Sequence, residues 1–488
     1  MPFRNNFNYK IFQYILGLTI CFIGYSLLIP LTLAIVNKEP TVLVFSISAV
    51  FSLILGYYLI YFNRNYTPQL TKKDGRIIVG LIWFVAPIIG ALPYLLSPIY
   101  FKTPINALFE SFSGFTTTGS TILNHLETMP KSILIWRALT QWIGGLGLTL
   151  IIIILLNNFK NGSNYLFNAE FTSIDKEKVR PHIKDSVFKI IYIYVGLTII
   201  SIILLRLGDM DLFTSICHSF GAVSTGGFST VNNNIGEFSP YTQYVLTAIM
   251  FLSGIGYVLL YWFVKFRWGK LFKDEQSRVY IIIIFLASFI LFFSLYLNRD
   301  FNIEKSIRIA IFHIVSVVST TGYYLPEAQE FGLFISTLIL ILMFIGGCSG
   351  SSSTGLKIIR LIILLKYSNN SFKRMFHPRA IIPIRYNKVV LIDEATNLVF
   401  GFFFLYLIIF IIGAFTLTLF GNEFMSSIAM SAANISNIGP VIGYMSPEIT
   451  YSNLDIGSKT TLIILMMIGR LEIYSFLAMF SKSIWTKN

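Results

Sequence analysis

The sequence predicts an all-α polytopic membrane protein. Four pseudo-fourfold helix–pore loop–helix units surround one pore, and a pair of transmembrane helices precedes them. Three observations carry this expectation. The chain is 55% hydrophobic and 12% charged, with a mean hydropathy of +0.71, whereas roughly a quarter of a soluble domain is charged. Ten apolar stretches reach membrane-spanning length, over 11–36, 41–62, 78–99, 133–157, 187–206, 241–264, 279–297, 332–354, 398–420 and 460–480; a span takes about 20 residues. Four short strings of hydroxyls and glycine recur between these stretches: FTTTGST (115–121), VSTGGFS (223–229), VSTTGYY (318–324) and ISNIGPV (435–441).

The elements follow in chain order. Met1–Lys10 is polar, and the apolar run after it is long enough to span and lacks a small-residue cleavage site, so it reads as a membrane helix and not as a cleaved signal. Residues 1–70 form the expected two-helix domain, and 71–165, 166–272, 273–380 and 381–488 the four repeats. Aligned on Gly119, Gly227, Gly322 and Gly439, the strings are spaced by 108, 95 and 117 residues, and each carries a hydroxyl three positions earlier (Thr116, Ser224, Ser319, Ser436). Apolar residues three apart precede each string: Phe109 and Phe112, Cys217 and Phe220, Phe312 and Val315, Ala429 and Ala432. That spacing suits one face of a short helix. Such a segment is too short to cross a bilayer and too apolar for water, so it predicts a re-entrant pore helix and loop, tolerated only where protein or a wet cavity covers the backbone.

The second span of each repeat carries a glycine mark: GGLG (144–147), SGIG (253–256), GGCSG (346–350) and IGRLE (468–472). Glycine inside a helix costs about 1 kcal/mol relative to alanine, so these marks predict close helix approach or bends. Four span–loop–span units can enclose an axis. Glycine permits angles that turn carbonyls one way, rings of carbonyls replace a cation's water shell, and helix C-terminal ends favour the cation. Nine positions before each filter glycine stand Glu110, His218, His313 and Met430. The three polar ones are expected either to brace the filter from behind or to be separately satisfied.

Charge sets topology. With the N-terminus inside, 27 of the 37 Lys and Arg fall on the inner side, and Arg470 lies within a span, the positive-inside pattern. The net charge of +14 therefore reports orientation and contact with anionic lipid, and no nucleic-acid partner is expected. Both termini are expected in the cytoplasm, with the chain multi-pass in a bacterial inner membrane. Cys21, Cys217 and Cys348 show no metal-ligand spacing or disulfide framework. HExxH, GxSxG and paired-aspartate motifs are absent from the spans, so an enzyme is not expected.

Together FTTTG, VSTGGF, STTG, NIGP, GGCSGSSSTGLK and IGRLE, in this order, resemble the Trk/Ktr/HKT superfamily of potassium transporters, most closely the bacterial Trk potassium-uptake membrane subunits. The resemblance covers essentially the whole chain, including the N-terminal pair. It implies a homodimer with one pore per subunit. It also implies a cytoplasmic ring of nucleotide-binding regulatory subunits, which, and not this chain, bind NAD(H) or ATP/ADP. The chain itself takes no cofactor, potassium being the transported ligand. Carried over motif by motif, ion contacts fall on Thr116, Thr117, Thr118 and Gly119; Ser224, Thr225, Gly226 and Gly227; Ser319, Thr320, Thr321 and Gly322; Ser436, Asn437, Ile438 and Gly439. Val441 follows Pro440 where the family often has glycine, making the fourth quarter the least regular.

GGCSGSSSTGLK (346–357) is no Walker loop, because Leu356 separates the glycine from the lysine. The resemblance makes it an intramembrane gating loop, with Gly346, Gly347, Gly350, Ser351, Ser352, Ser353 and Gly355 as its gate residues. Arg470, placed near mid-span, reads either as a structural ion pair or as a pore-facing positive barrier, since a mid-membrane arginine rarely faces lipid. Glu472 is two residues away, off its helix face, and is expected to serve another helix. The basic loops 158–189 and 355–394, including HPRAIIPIRYN (377–387), are expected to dock the cytoplasmic subunits or lie against anionic lipid. Glu237, Glu327 and Glu423 are expected in an outer vestibule. Sodium- or proton-coupled symport is the alternative mechanism, with Glu110 and Glu472 as its candidate carboxylates.

Overall fold

The computed structural model describes residues 9–64, 72–148, 183–298, 301–380, 382–441 and 451–480. The N-terminal tail, the inner end of the predicted span 133–157, most of loop 158–189 and the last eight residues lie outside them. Six of the ten predicted spans are helices long and apolar enough to cross a membrane: Tyr9–Val36, Val42–Phe62, Asp74–Leu95, Val187–Arg206, Glu275–Leu297 and Asp393–Leu419. The chain is a multi-pass helical membrane protein. The last four are the first helices of the four repeats, and their exposed Ile, Leu and Phe side chains form the outer surface.

The other four predicted spans, the second helices of the repeats, are not continuous. Lys131–Leu146 ends at Gly147, whose φ is 89°. Pro240–Ser253 and Tyr257–Val264 meet at 110°. Leu333–Met343 is parted from Ile358–Phe376 by the serine–glycine segment, and Ile456–Leu471 from Ile473–Phe480 by Glu472 at φ 58°. Every break falls at a glycine mark. Breaks at membrane depth expose backbone groups, and they persist because neighbouring segments satisfy them. Cys348 donates its N–H to Gly254 O (2.9 Å) and Tyr257 donates to Gly350 O (2.9 Å), so the third repeat's loop closes the bend in the second repeat's helix.

Between the first and second helices lie the pore helices Pro104–Phe115, Leu212–Val223, Ile303–Val318 and Phe424–Ile435. Proline opens the first at a position where its missing N–H is harmless. Asp211 and Asn302 cap the second and third by accepting from Thr214 N and Lys305 N. Partial burial acts to raise the Asp211 pKa, yet the hydrogen bonds from Thr214 outweigh it and hold the carboxyl below its usual range. The residue pairs that predicted these helices are buried, apart from half-buried Phe220. Among the described residues the one β-ribbon pairs Arg385–Tyr386 antiparallel with Val389–Val390. It folds the loop onto the start of the third repeat, where Asn387 donates to Asp274 (2.7 Å) and accepts from Glu275 N (2.9 Å).

The N-terminal helix pair packs through glycine. A Cβ on Gly56 would lie 2.5 Å from Cys21 Sγ and 2.8 Å from Cys21 N. Gly56→Ala is therefore expected to lower the thermal unfolding midpoint of the purified protein, at a cost of about 1–3 kcal/mol. Gly196→Ala, where a Cβ meets open space, should leave the midpoint unchanged or raise it.

Candidate functional site

The four pore helices end alike. Thr118 N bonds Ser113 O (2.9 Å), Gly226 N bonds Gly221 O (2.8 Å), Thr321 N bonds Ser316 O (2.8 Å) and Ile438 N bonds Ala433 O (2.8 Å). These five-residue returns are the Schellman closure of a helix C-terminus. The left-handed residue it needs, usually glycine, is here Thr117 (φ 56°), Thr225 (φ 55°), Thr320 (φ 60°) and Asn437 (φ 52°). A β-branched residue at positive φ is an outlier costing of order 1–3 kcal/mol, held only where its surroundings over-determine it. Two residues later Gly119, Gly227, Gly322 and Gly439 are again left-handed, at φ 76–89°. The alternation turns the carbonyls of each string toward one side.

The four strings meet in a closed ring. A Cβ on Gly119 would run into Gly226 O, one on Gly227 into Thr321 O, one on Gly322 into Ile438 O and one on Gly439 into Thr118 O. Each glycine thus lies against the carbonyl of the preceding position in the next repeat, in the cyclic order one, two, three, four, one. The sixteen predicted contact residues, Thr116–Gly119, Ser224–Gly227, Ser319–Gly322 and Ser436–Gly439, are brought together around one axis. All sixteen are buried. No three His, Cys, Asp or Glu side chains gather as a metal centre among the described residues; the arrangement offers carbonyls and hydroxyls, which strip water from a large monovalent cation without binding it too tightly to leave.

The polar positions nine before the glycines stand behind the ring, at matching register. Glu110 accepts from Ile122 N (3.0 Å) and Thr121 Oγ1 (2.9 Å). His313 Nε2 accepts from Leu325 N (3.1 Å) while its Nδ1 donates to Ile309 O (2.9 Å), which fixes a neutral tautomer. His218 Nε2 accepts from Ser229 Oγ (3.3 Å). Each acceptor pins the chain 11 or 12 residues further on, just beyond its filter string. Met430 has no such group. In the fourth repeat Tyr451 donates to Gly439 O (2.7 Å) and accepts from Asn434 Nδ2 (3.3 Å), and Ser120 donates to Asn434 Oδ1 (2.9 Å). Tyr451 and Asn434 were not foreseen, because neither falls at the repeat register. Arg137, which pairs with buried Glu110 at 2.7 Å, was also missed; an arginine inside an apolar span was the available signal.

The 346–357 segment lies directly under the ring. Thr354 donates through Oγ1 to Ser436 O and through its N–H to Thr320 Oγ1 (3.2 Å), and Ser352 Oγ donates to Val223 O (3.2 Å). Arg470 completes the contact with the first quarter: its guanidinium donates to Thr117 Oγ1 (3.3 Å), Ser352 O (2.8 Å) and Gly144 O (2.5 Å). The expected mid-helix placement is corrected here. Arg470 is the penultimate residue of Ile456–Leu471, at a carbonyl end that favours a cation. Glu472 instead pairs with Arg360 (2.7 Å) and Lys357 (3.4 Å), serving another helix as the i,i+2 spacing implied. Arg470, Ser351, Ser353, Gly355 and Tyr257 line a cavity of about 70 Å³ beside the loop.

Glu327 pairs with Lys305 at 3.0 Å, and Glu237 accepts from Asn233 at 2.9 Å. Glu423 precedes the fourth pore helix, a 12-residue element that holds it about 18 Å from the filter.

A profile of the TrkH family, described as cation transport protein, matches residues 42–487. The chain is 32% identical over 475 residues to the Trk system potassium uptake protein TrkH of Escherichia coli K12, covering 96% of this chain and 98% of that one. It is 29% identical over 484 residues to the Trk system potassium uptake protein TrkG of the same strain, covering 99% of each. The crystal structure of the potassium transporter TrkH from Vibrio parahaemolyticus superposes with a TM-score of 0.88 at 28% identity, covering 98% of this chain and all of that one.

His313→Leu removes the acceptor for Leu325 N in a dry setting. An orphaned buried donor costs about 1–3 kcal/mol, so the variant is expected to unfold at a lower temperature, with His313→Gln recovering part of the loss.

Proposed function

The chain belongs to the TrkH family of cation transport proteins, and from that premise we propose that it takes up potassium across the inner membrane through a gated, channel-like filter. The ring of glycine–carbonyl contacts carries this reading. Four chemically different strings converge on one axis with the same backbone geometry, and transport of a partly dehydrated cation is what that geometry serves. Potassium enters from the outer face, exchanges water for carbonyls and hydroxyls of the four strings, and passes the loop at 346–355 and Arg470 into the cytoplasm. The membrane potential drives it inward with about 2.3 kcal/mol per charge per 100 mV.

On this reading the arrangement is the shut one. The loop hydrogen-bonds to quarters two, three and four from below, and Arg470 sets a positive charge under the first. Opening requires these bonds to break together, a step suited to control by a cytoplasmic nucleotide-binding subunit. Relatives named as parts of a Trk system support such a partner; a homodimer with both termini inside completes the proposal. The coupled-symport alternative gains nothing from its candidate carboxylates: Glu110 is held by Arg137, and Glu472 by Arg360 and Lys357.

Flux of potassium, rubidium and sodium into liposomes holding only this protein tests the reading. Arg470→Ala, and separately deletion within 347–354, is expected to raise potassium flux over the wild type. Gly119→Ser added to either should abolish the preference for potassium, because its side chain meets Gly226 O. Folded variants that conduct no potassium would refute the pore.

A further inference from the structure

The second filter quarter lacks something the others have. At the position before its filter glycine the first and third quarters carry threonines, whose hydroxyls bond the first residue of their own string: Thr118 to Thr116 and Thr321 to Ser319, both at 2.7 Å. The fourth carries Ile438, and the second Gly226, with no side chain. The vacant space is filled by Gln141 from the first repeat's second helix; a Cβ on Gly226 would lie 2.5 Å from its Cδ. The buried carboxamide then makes two bonds of opposite sense to the string it covers. Its Nε2 donates to Gly226 O at 2.7 Å, and its Oε1 accepts from Phe228 N at 3.1 Å.

One helical turn earlier, on the same face, Arg137 grips the next residues. Its guanidinium lies 4.1 Å from the Phe228 ring and donates to Ser229 O at 3.2 Å. It also holds Glu110, the brace of the first quarter. One face of one helix therefore ties the wall of the second quarter to the brace of the first. Gly226 O is also the carbonyl that packs against Gly119 in the ring, so the group Gln141 donates to belongs to the ring itself.

We infer that Gln141 is a specificity-determining residue of the filter, orienting the Gly226 carbonyl and drawing off part of its negative charge. The inference rests on the filter reading and adds a residue outside the four strings. A carbonyl already accepting one hydrogen bond offers a weaker field to a cation, and field strength and ligand number govern potassium against sodium. The second quarter is thus tuned from outside, by the neighbouring repeat.

The test reads filter occupancy without requiring an open gate. A ligand that binds only the folded state raises the unfolding midpoint, so midpoints of the purified protein are compared in potassium and in sodium chloride. The wild type is expected to gain more from potassium. Gln141→Leu keeps the bulk and removes both bonds; its apparent potassium preference should fall by about five- to tenfold, the weight of one such bond. Gln141→Glu keeps the acceptor for Phe228 N, loses the donor and adds charge beside Gly226 O. It should bind both ions more tightly with a narrowed preference. Should Gln141→Leu fail to fold, Gln141→Glu decides alone. Folded variants with the wild-type preference would overturn the role of Gln141 and leave the filter standing. A wild type with no potassium preference would overturn both.

Discussion

The contact on which the rest of this structure depends is backbone against backbone: each filter glycine lies against a carbonyl oxygen of the next repeat. No side chain fits between, so all four positions must be glycine, and the ring closes only if all four pore helices end at the same depth with the same turn. That turn requires a left-handed residue two positions earlier, and the chain places threonine at three of them against that residue's own preference, with asparagine, which tolerates the conformation, at the fourth. The strain is retained because the hydroxyls and amide at these positions face groups that glycine could not reach. Asn437 donates to Thr118 Oγ1 at 2.7 Å and Met466 O at 3.0 Å, and Thr320 Oγ1 accepts from Thr354 N.

Four re-entrant strings packed backbone against backbone are held in place from outside. Each quarter has its own chemistry for this: a carboxylate paired with arginine in the first, imidazoles in the second and third, and tyrosine with asparagine in the fourth. The first three share a register and an acceptor aimed at the segment beyond the string, while the fourth, off that register, donates to Gly439 O. The interchange is physically permitted because pinning a buried N–H or hydroxyl needs only an acceptor at the right distance. Pseudosymmetry is therefore strict in the backbone and loose in the side chains.

The same constraint explains the broken second helices. To bring four re-entrant strings to one axis, the helices after them must approach closely, and Gly144 and Gly469 lie against the last carbonyls of their own pore helices, Phe115 O and Ile435 O. Helices broken at such depth leave free ends, and the 346–357 loop satisfies the second repeat's bend while lying under the filter. The positive charge of Arg470 sits at the end of the last such helix, where carbonyls already favour it. The loop and the arginine that plug the broken helices thereby also bond to all four strings from one side.

Much of this was legible in the sequence because it is written in local, repeated terms. Hydropathy fixes the first helices, the glycine strings fix the four filter quarters, and the nine-residue offset locates Glu110, His218 and His313. Glycine marks announced the breaks, although continuous spans were expected through them; composition measures apolar length and is blind to a bend whose backbone is satisfied by a distant segment. The sequence by itself therefore determined the fold class and the positions of the four hydroxyl–glycine strings and of the serine–glycine loop, since each depends on neighbours within one repeat. Only the tertiary structure decided the cyclic order of the ring, the partners of Arg470 and Glu472, and the entry of Gln141, Arg137 and Tyr451 into the site. These depend on contacts between repeats separated by scores of residues, and no periodicity along the chain encodes which side chain crosses from one repeat to hold the wall of the next.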